Sequence, residues 1–461
     1  MKTRLFHKGI SPIRVLPLGY LGVICVGTLL LMLPAASYDA PLPFLDALFT
    51  ATSASCVTGL VVVDTGTYFT PFGQAVVLLL IQVGGLGFMA VTTMLFLALR
   101  ARVSLRGRML LAEGTGSGQI QGVVLLSQRI VALTMACESI GALLLSIRFV
   151  PLYGWGKGIW YAVFHSVSAF CNAGFDLMGD FQSLVPFVRD PLVNFTIMWL
   201  IVMGGLGFAL ILELIRKPKT KQRISVHGRT VLIATAMLVF GGGILFWLFE
   251  RHNPDTLGEL PLSTQLMASL FQSVTCRTAG FNTIDQTALY EGSKLLSFLL
   301  MFIGGAPAGT AGGVKITTVA LLLFSVRSLM RGREETEAFG RRFSRNALAR
   351  ALCIFLLAIA FLFVGAMVMS LTERGTACGS MDFIDKMFEL ASALGTVGLT
   401  VGVTEVAGVT SRLVLCVLMY LGRAGLLTIA LACGREDAES AIRYPPGGDY
   451  DRLIYRKVGS I

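Results

Sequence analysis

The chain has 461 residues, 54% of them hydrophobic and only 14% charged, with a mean hydropathy of +0.74. A soluble protein carries about 25% charged residues, so a large water-soluble core is excluded and a membrane protein is expected. The net charge of +11 would suit nucleic acid, but the basic residues fall in blocks at alternate loops, and no nucleic-acid partner is expected.

Taken in order, residues 15–38 form the first apolar run able to cross the hydrocarbon, which needs roughly 20 residues. Lys2, Arg4, Lys8 and Arg14 precede it, as in a signal peptide, but the run is too long for one and no A-x-A cleavage site follows. Residues 44–55 are half-apolar, too short to span, and lead to Gly59. Residues 65–99 span again and contain Gly84-Gly-Leu-Gly87. After the basic stretch 100–129, residues 130–147 span with one charge, Glu138, for which a buried polar contact is the default reading. Residues 159–170 lead to Gly174, and span 191–212 contains Gly204-Gly-Leu-Gly207. The basic stretch 216–229, span 230–249, short segment 264–275 before Gly280 and span 295–314 follow. The basic stretch 327–350, span 351–372, short segment 383–394 before Gly398 and span 413–434 with Arg423 complete the series, ahead of a tail from Arg435. Eight spans with the basic loops on one side put both termini in the cytoplasm by the positive-inside rule. The nine cysteines form no CxxC pair and the four histidines no metal spacing, so disulfides and zinc are not expected.

The order long helix, short segment, glycine, long helix therefore occurs four times. The glycines are 115, 106 and 118 residues apart, the signature of an internal repeat. Ten residues before them stand Phe49, Phe164, Leu270 and Phe388; six before stand Ser53, Ser168, Val274 and Ser392. Irregular backbone at membrane depth is tolerated where it lines water or is buried in protein. Val57-Thr58-Gly59, Asn172-Ala173-Gly174, Thr278-Ala279-Gly280 and Thr396-Val397-Gly398 could thus supply stacked rings of carbonyls that replace the water around a cation. The bland alternative is four loop turns that each end in glycine. For Gly84–Gly87 and Gly204–Gly207, close helix packing is the favoured reading.

These four loops, Cys56-Val-Thr-Gly-Leu, Cys171-Asn-Ala-Gly-Phe, Arg277-Thr-Ala-Gly-Phe and Gly395-Thr-Val-Gly-Leu, resemble the pore loops of the Trk/Ktr/HKT family of cation transporters, and the likeness covers about residues 13–433. It implies an all-α polytopic membrane protein of four M1–P–M2 repeats, with eight transmembrane helices and four re-entrant pore helices in pseudo-four-fold symmetry. The expected divisions are 1–112, 113–222, 223–340, 341–434 and the cytoplasmic tail 435–461. It further implies potassium uptake across a bacterial plasma membrane, since glycine stands at all four filter positions where sodium-favouring members tend to carry serine at the first. With few residues before the first span, the Ktr-type pore subunit is the closer match. That type works as a homodimer with a separate cytoplasmic ring of nucleotide-binding regulatory subunits (KtrA-like), for which the basic loop 327–350 is a candidate dock. No cofactor is expected in this chain; potassium is the substrate and sodium a candidate activator.

Two departures from four-fold regularity are candidate control elements. Gly304-Gly305-Ala306-Pro307-Ala308-Gly309-Thr310-Ala311-Gly312-Gly313, before Val314 and Lys315, cannot be regular helix: glycine costs a helix interior about 1 kcal/mol and proline about 3. It is either a structural kink or, as the resemblance implies, an intramembrane gate loop. Arg423 either faces the pore beside that loop, as the resemblance implies, or forms a buried salt bridge. Lys315 is expected near water or loop carbonyls. Arg277 is expected to pair behind the filter with a pore-helix carboxylate. Asp64, Asp176 and Asp285 either raise the local cation concentration at the outer mouth or are solvated loop carboxylates. Enzyme readings find little support, since Gly309–Lys315 lacks the GK[ST] ending of a phosphate loop. The rival functions are a sodium-selective or sodium-coupled transporter of the same fold and, from another class, a secondary transporter with broken midplane helices.

Overall fold

A computed structural model describes residues 12–87, 123–220, 224–426, 428 and 429. Among them the only paired strands are the two-residue pieces Glu337–Ala338 and Arg341–Arg342, which form an antiparallel hairpin. Everything else of size is helix. The helices longer than two turns, numbered in chain order, are α1 (Pro12–Leu31), α2 (Phe44–Cys56), α3 (Pro71–Leu86), α4 (Val123–Tyr153), α5 (Trp155–Cys171), α6 (Pro191–Gly205), α7 (Phe208–Thr220), α8 (Val226–Glu250), α9 (Leu262–Thr275), α10 (Glu291–Phe302), α11 (Ile316–Met330), α12 (Arg345–Thr372), α13 (Phe383–Gly395) and α14 (Val409–Ala424).

Three of the described helices, α4, α8 and α12, are continuous and apolar enough to cross a membrane. Several expected spans are not continuous: α3 stops at Leu86 inside span 65–99 and α14 at Ala424 inside span 413–434, and two more are broken as follows. Span 191–212 bends by 99° between α6 and α7, where Gly207 takes a φ of 85° and the Phe208 N–H leaves the helix ladder to bond Ala308 O at 3.0 Å. Span 295–314 opens after Phe302 into an extended loop that closes again only at Ile316. The far ends of spans 65–99 and 413–434, the basic stretch 100–122, the tail 435–461 and the expected divisions near 112, 222 and 434 lie outside the described residues.

The short helices α2, α5, α9 and α13 sit at the centre. Ser53, Ser168, Thr275 and Ser392, in their last turns, are fully buried. A long helix presses on each through a glycine. A β-carbon on Gly141 would lie 2.5 Å from Ser166 Oγ, one on Gly27 3.3 Å from the Ala51 β-carbon, and one on Gly365 3.0 Å from Leu390 Cδ2; on Gly242 it would overlap Ser273 Oγ. Without a hydrophobic force between helices in lipid, small residues at such contacts let backbones approach closely. Buried carboxylates fix two of the loops between these helices. Glu250, at the end of α8, accepts the Tyr290 N–H just before α10 (3.0 Å), and Glu373, just after α12, accepts the Gly408 N–H just before α14 (2.8 Å). Both carboxylates also take side-chain donors, which offsets the desolvation of a buried charge.

Candidate functional site

The segment after each short helix makes the same backbone manoeuvre, at the helix cap in three units and three residues beyond the helix end in the third. Val57, Asn172, Thr278 and Thr396, two residues before the four glycines, have positive φ (58°, 61°, 70° and 52°), and so do Gly59, Gly174, Gly280 and Gly398 (99°, 72°, 84° and 94°). L-residues other than Gly, Asn and Asp rarely take this conformation. Three of these four positions therefore hold backbone strain, which must be over-determined by the surroundings. It is fixed from behind. The Gly59 N–H donates to Ser53 Oγ (3.1 Å) and the Gly398 N–H to Ser392 Oγ (3.0 Å). Ser168 Oγ donates to Phe175 O (2.7 Å) and Thr275 Oγ1 to Phe281 O (2.5 Å).

The third segment corrects the sequence register. Thr275, not Val274, is the counterpart of the three serines. Its carbonyl accepts the Ala279 N–H (3.0 Å), as Ser53 accepts from Thr58, Ser168 from Ala173 and Ser392 from Val397 (2.8 Å each). Thr275 stands five residues before its glycine where the three serines stand six before theirs, which a constant count back from the glycine cannot show.

The four segments close on one another in cyclic order. A β-carbon on Gly174 would lie 2.7 Å from Ala279 O, and one on Gly280 2.5 Å from Val397 O; on Gly398 it would overlap Thr58 O, and on Gly59 Ala173 O. Each glycine thus faces the carbonyl of the residue before the next glycine. Val57, Thr58, Asn172, Ala173, Thr278, Ala279, Thr396 and Val397 are all buried. Eight of the twelve residues of the expected filter make these ring contacts, and Val57, Asn172, Thr278 and Thr396 stand one position before them in the chain. On one side of the ring a cavity of about 200 Å³ is lined by the four glycines and by Asp64, Asp176, Asp285 and Glu405, among others. The three expected aspartates also have local structural work. Asp64 accepts the N–H groups of Thr67 and Phe181 (2.8 Å each), Asp176 that of Met178 (2.9 Å) and Asp285 that of Thr287 (2.8 Å).

On the other side of the ring lies the loop 303–315. Gly312 and Gly313 touch the filter segment of α13: a β-carbon on Gly312 would overlap Thr396 Oγ1, and one on Gly313 would lie 3.1 Å from Gly395 Cα. Loop N–H groups donate to other helices, Ala306 to Gly205 O (2.9 Å), Thr310 to Gly204 O (3.2 Å) and Gly313 to Gly422 O (3.2 Å). Pro307 O faces Gly207, where a β-carbon would lie 2.7 Å away. Gly304 and Gly305 form the loop's entry: the Gly304 N–H donates to Val314 O (2.8 Å) and Gly305 O accepts from Ile316 (3.1 Å). Ala308, Gly309 and Ala311 complete the turn, and Lys315 Nζ donates back to Ala311 O (2.6 Å). Arg423 donates to Thr310 O in the loop and to Gly84 O and Gly85 O in α3. It forms no ion pair among the described residues, so the salt-bridge alternative finds no partner there.

Glycines 84, 204 and 422 pack against the carbonyl ends of short helices, at Ser55 O, Phe170 O and Leu394 O, in line with the packing reading. Glu138 has found its polar contacts: Gln82 Nε2 donates to it (3.2 Å) and Ser166 Oγ to its backbone carbonyl (2.6 Å). Arg277 corrects an expectation. It is buried, yet no carboxylate meets it among the described residues. The carboxylates on the short helices are committed elsewhere: Asp46 pairs with Arg412 and Asp385 with Lys294 (2.7 Å each), and Glu389 takes donors from Thr400, Val401 and Thr404. The sequence reading passed over Glu389, His165 and Gln272, although polar residues inside short apolar helices were the available signal.

Residues 20–440 match the family model described as TrkH, cation transport protein. The chain is 40% identical over 437 residues to the Ktr system potassium uptake protein B of Bacillus subtilis, covering 95% of this chain and 96% of that one. It is likewise 40% identical over 439 residues to the protein of that name from Vibrio alginolyticus (95% and 94% covered). It is 38% identical over 448 residues to the potassium/sodium uptake protein NtpJ of Enterococcus hirae (96% and 98% covered). All three are named as transporters, none as an enzyme. The fold is like that of the crystal structure of the potassium transporter TrkH from Vibrio parahaemolyticus, with a TM-score of 0.74 over 94% of this chain and 87% of that one at 16% identity.

Proposed function

The chain belongs to the TrkH family of cation transport proteins, and from that premise we propose that it takes up potassium across the bacterial plasma membrane through a filter of backbone carbonyls. The observation that carries this is the cyclic closure of Gly59, Gly174, Gly280 and Gly398 on the carbonyls of Ala173, Ala279, Val397 and Thr58. A closed ring of converging carbonyls substitutes for the hydration shell of a monovalent cation. In this reading the chain is four M1–P–M2 repeats in pseudo-four-fold symmetry, with α2, α5, α9 and α13 as re-entrant pore helices and both termini cytoplasmic. Residues 304–313 with Arg423 form the gate below the filter. The carboxylates at the mouth concentrate cations. A homodimer docked on a cytoplasmic ring of nucleotide-binding subunits sets the open fraction, with sodium as a candidate activator.

The relatives named as Ktr system potassium uptake proteins support the potassium reading. A potassium/sodium reading is favoured by the one named NtpJ. Growth of a potassium-uptake-deficient bacterium on limiting potassium, with sodium influx measured beside it, tests the choice. Potassium-dependent rescue without matching sodium influx is expected. Sodium influx at the same rate would transfer the assignment to the second reading, and no flux of either ion would remove both.

A further inference from the structure

The corrected register of the short helices brings a second row of residues into line. Three positions before Ser53, Ser168, Thr275 and Ser392 stand Thr50, His165, Gln272 and Glu389. The last three are wholly buried; His165 and Glu389 reach the strand that leaves their glycine on the outer side directly, and Gln272 does so through the side chain of Gln286. His165 Nε2 accepts the Leu177 N–H (3.4 Å). Its Nδ1 lies 2.7 Å from Tyr161 O, which places the proton on Nδ1 and the lone pair on Nε2. Glu389 accepts the N–H groups of Val401 (3.4 Å) and Thr404 (3.2 Å) and the hydroxyls of Thr400 (3.1 Å) and Thr404. Leu177 and Val401 are each the third residue after their own glycine, so an imidazole and a carboxylate do the same job at the same place. Gln272 exchanges two hydrogen bonds with Gln286 (2.6 and 3.1 Å), whose amide also donates to Ile284 O (2.9 Å). Thr50, in the first unit, is the exception: its hydroxyl has no partner.

We propose that Glu389, His165 and Gln272 are positioning residues for ion selection, buried struts that fix the outer filter strand in three units and leave the first unit's strand the most compliant. The proposal rests on reading the glycine ring as the filter. Its physical basis is the cost of an unpaired polar group in a water-free interior. A strand that slipped along the pore axis would strand both a backbone N–H and the side chain that accepts it. Preference for the larger ion is lost when carbonyls can close in around the smaller one, and the struts oppose that movement. Glu389 carries the most, because a carboxylate is the strongest acceptor of the row and it holds four donors.

The test compares Glu389→Gln with Thr50→Val and with Gly59→Ser, each in the full chain reconstituted in liposomes, reading potassium uptake against sodium competition. Glu389→Gln keeps the shape but turns one acceptor atom into an amide facing N–H and O–H donors. It should lower the potassium-over-sodium preference by about tenfold, roughly 1.4 kcal/mol, at a maximal potassium rate close to the parent's. Thr50→Val should leave the preference unchanged. A Glu389→Gln protein whose preference is unchanged, or whose potassium and sodium rates fall together, overturns the strut role if Gly59→Ser shifts the preference. If neither shifts it, the filter reading itself fails. Should Glu389→Gln not accumulate in the membrane, Thr404→Val removes a single donor from the intact carboxylate. A smaller loss of preference is then expected, and none would overturn the proposal.

Discussion

Replacing Arg423 by alanine should open the pore. The guanidinium makes three bonds, one to Thr310 O in the loop and two to Gly84 O and Gly85 O in α3. Only contacts that differ between two states shift their balance. If the loop moves and α3 stays, the two bonds to α3 survive opening and cancel, leaving the Thr310 bond as the differential term. A hydrogen bond from a charged donor is worth about 1.5–3 kcal/mol, which is about ten- to a hundredfold in the closed-to-open ratio. Removing a positive charge from the cation path acts in the same direction. The initial rate of potassium or rubidium uptake into liposomes, per amount of reconstituted protein and without any regulatory subunit, should therefore rise by about tenfold or more until the fully open rate is reached. Arg423→Lys separates bond from charge, because an ammonium keeps the charge but cannot span both carbonyl sets; it should fall between parent and alanine. An alanine variant that is present in normal amount and transports no faster than the parent would refute the closing role of Arg423.

The other expectations are shorter. Deleting residues 308–312 should also raise flux, and unchanged or lost flux in a normally folded protein would make the loop a kink and not a gate. Gly59→Ser should weaken the potassium preference, because a β-carbon there would overlap Ala173 O at a φ of 99°, a conformation that costs an L-residue about 1–2 kcal/mol; sodium competition reads it, and an unchanged preference counts against the ring. Burial pushes the carboxyl of Asp176, which lies in the outer mouth, up to about 7; the Asp64 charge adds to the rise and the Met178 N–H opposes it. Asp176 is therefore charged above external pH 7 and loses that charge below it, so the apparent affinity for potassium should weaken as the outside is acidified from pH 8 to 6. Asp176→Asn should flatten that profile, and a parent-like profile in the variant would assign the pH response elsewhere.

Much of the site could be read from the sequence because its constraint is local. A backbone that must turn its carbonyls inward at four places needs glycine at four places, and the spacing of Gly59, Gly174, Gly280 and Gly398 exposes it. The helix break at 304–313 was equally plain, since five glycines and a proline leave no helix to form. What escaped depends on contacts between distant segments. In the third unit the anchoring hydroxyl residue is one position closer to its glycine, which the hydrogen bonds of Thr275 to Ala279 and Phe281 identify. The bend at Leu206–Gly207 lies in an unbroken apolar run, and hydropathy does not change where the chain turns by 99°. The row His165, Gln272 and Glu389 was hidden because three different side chains share one role and one of them is out of register by count.

The bend and the loop have a common cause. Gly87, Gly207 and Gly425 all have positive φ (80°, 85° and 90°), and each stands three residues after the glycine that packs on a short helix. The helices α3, α6 and α14 therefore all stop just below the ring, and the carbonyls of a helix's last turn have no partner within it. Buried orphans of that kind need donors from elsewhere. Those on α6 and α14 receive N–H groups of the loop, at Gly204, Gly205 and Gly422. On α3 the Gly85 carbonyl receives the guanidinium of Arg423, which also bonds Gly84 O beside the Gly87 N–H and the Tyr20 hydroxyl. The loop is thus the cap of its neighbours' helix ends and, on the proposed reading, also an obstacle in the path. Opening must hand these carbonyls to another donor, and at the centre of a cation pathway the available donor is water. On that reading entry of water below the filter and departure of the loop are one step, which accounts for a glycine-rich loop with free backbone N–H groups here: a plug of apolar side chains would leave the carbonyls of Gly204, Gly205 and Gly422 without the loop's N–H donors in the closed state.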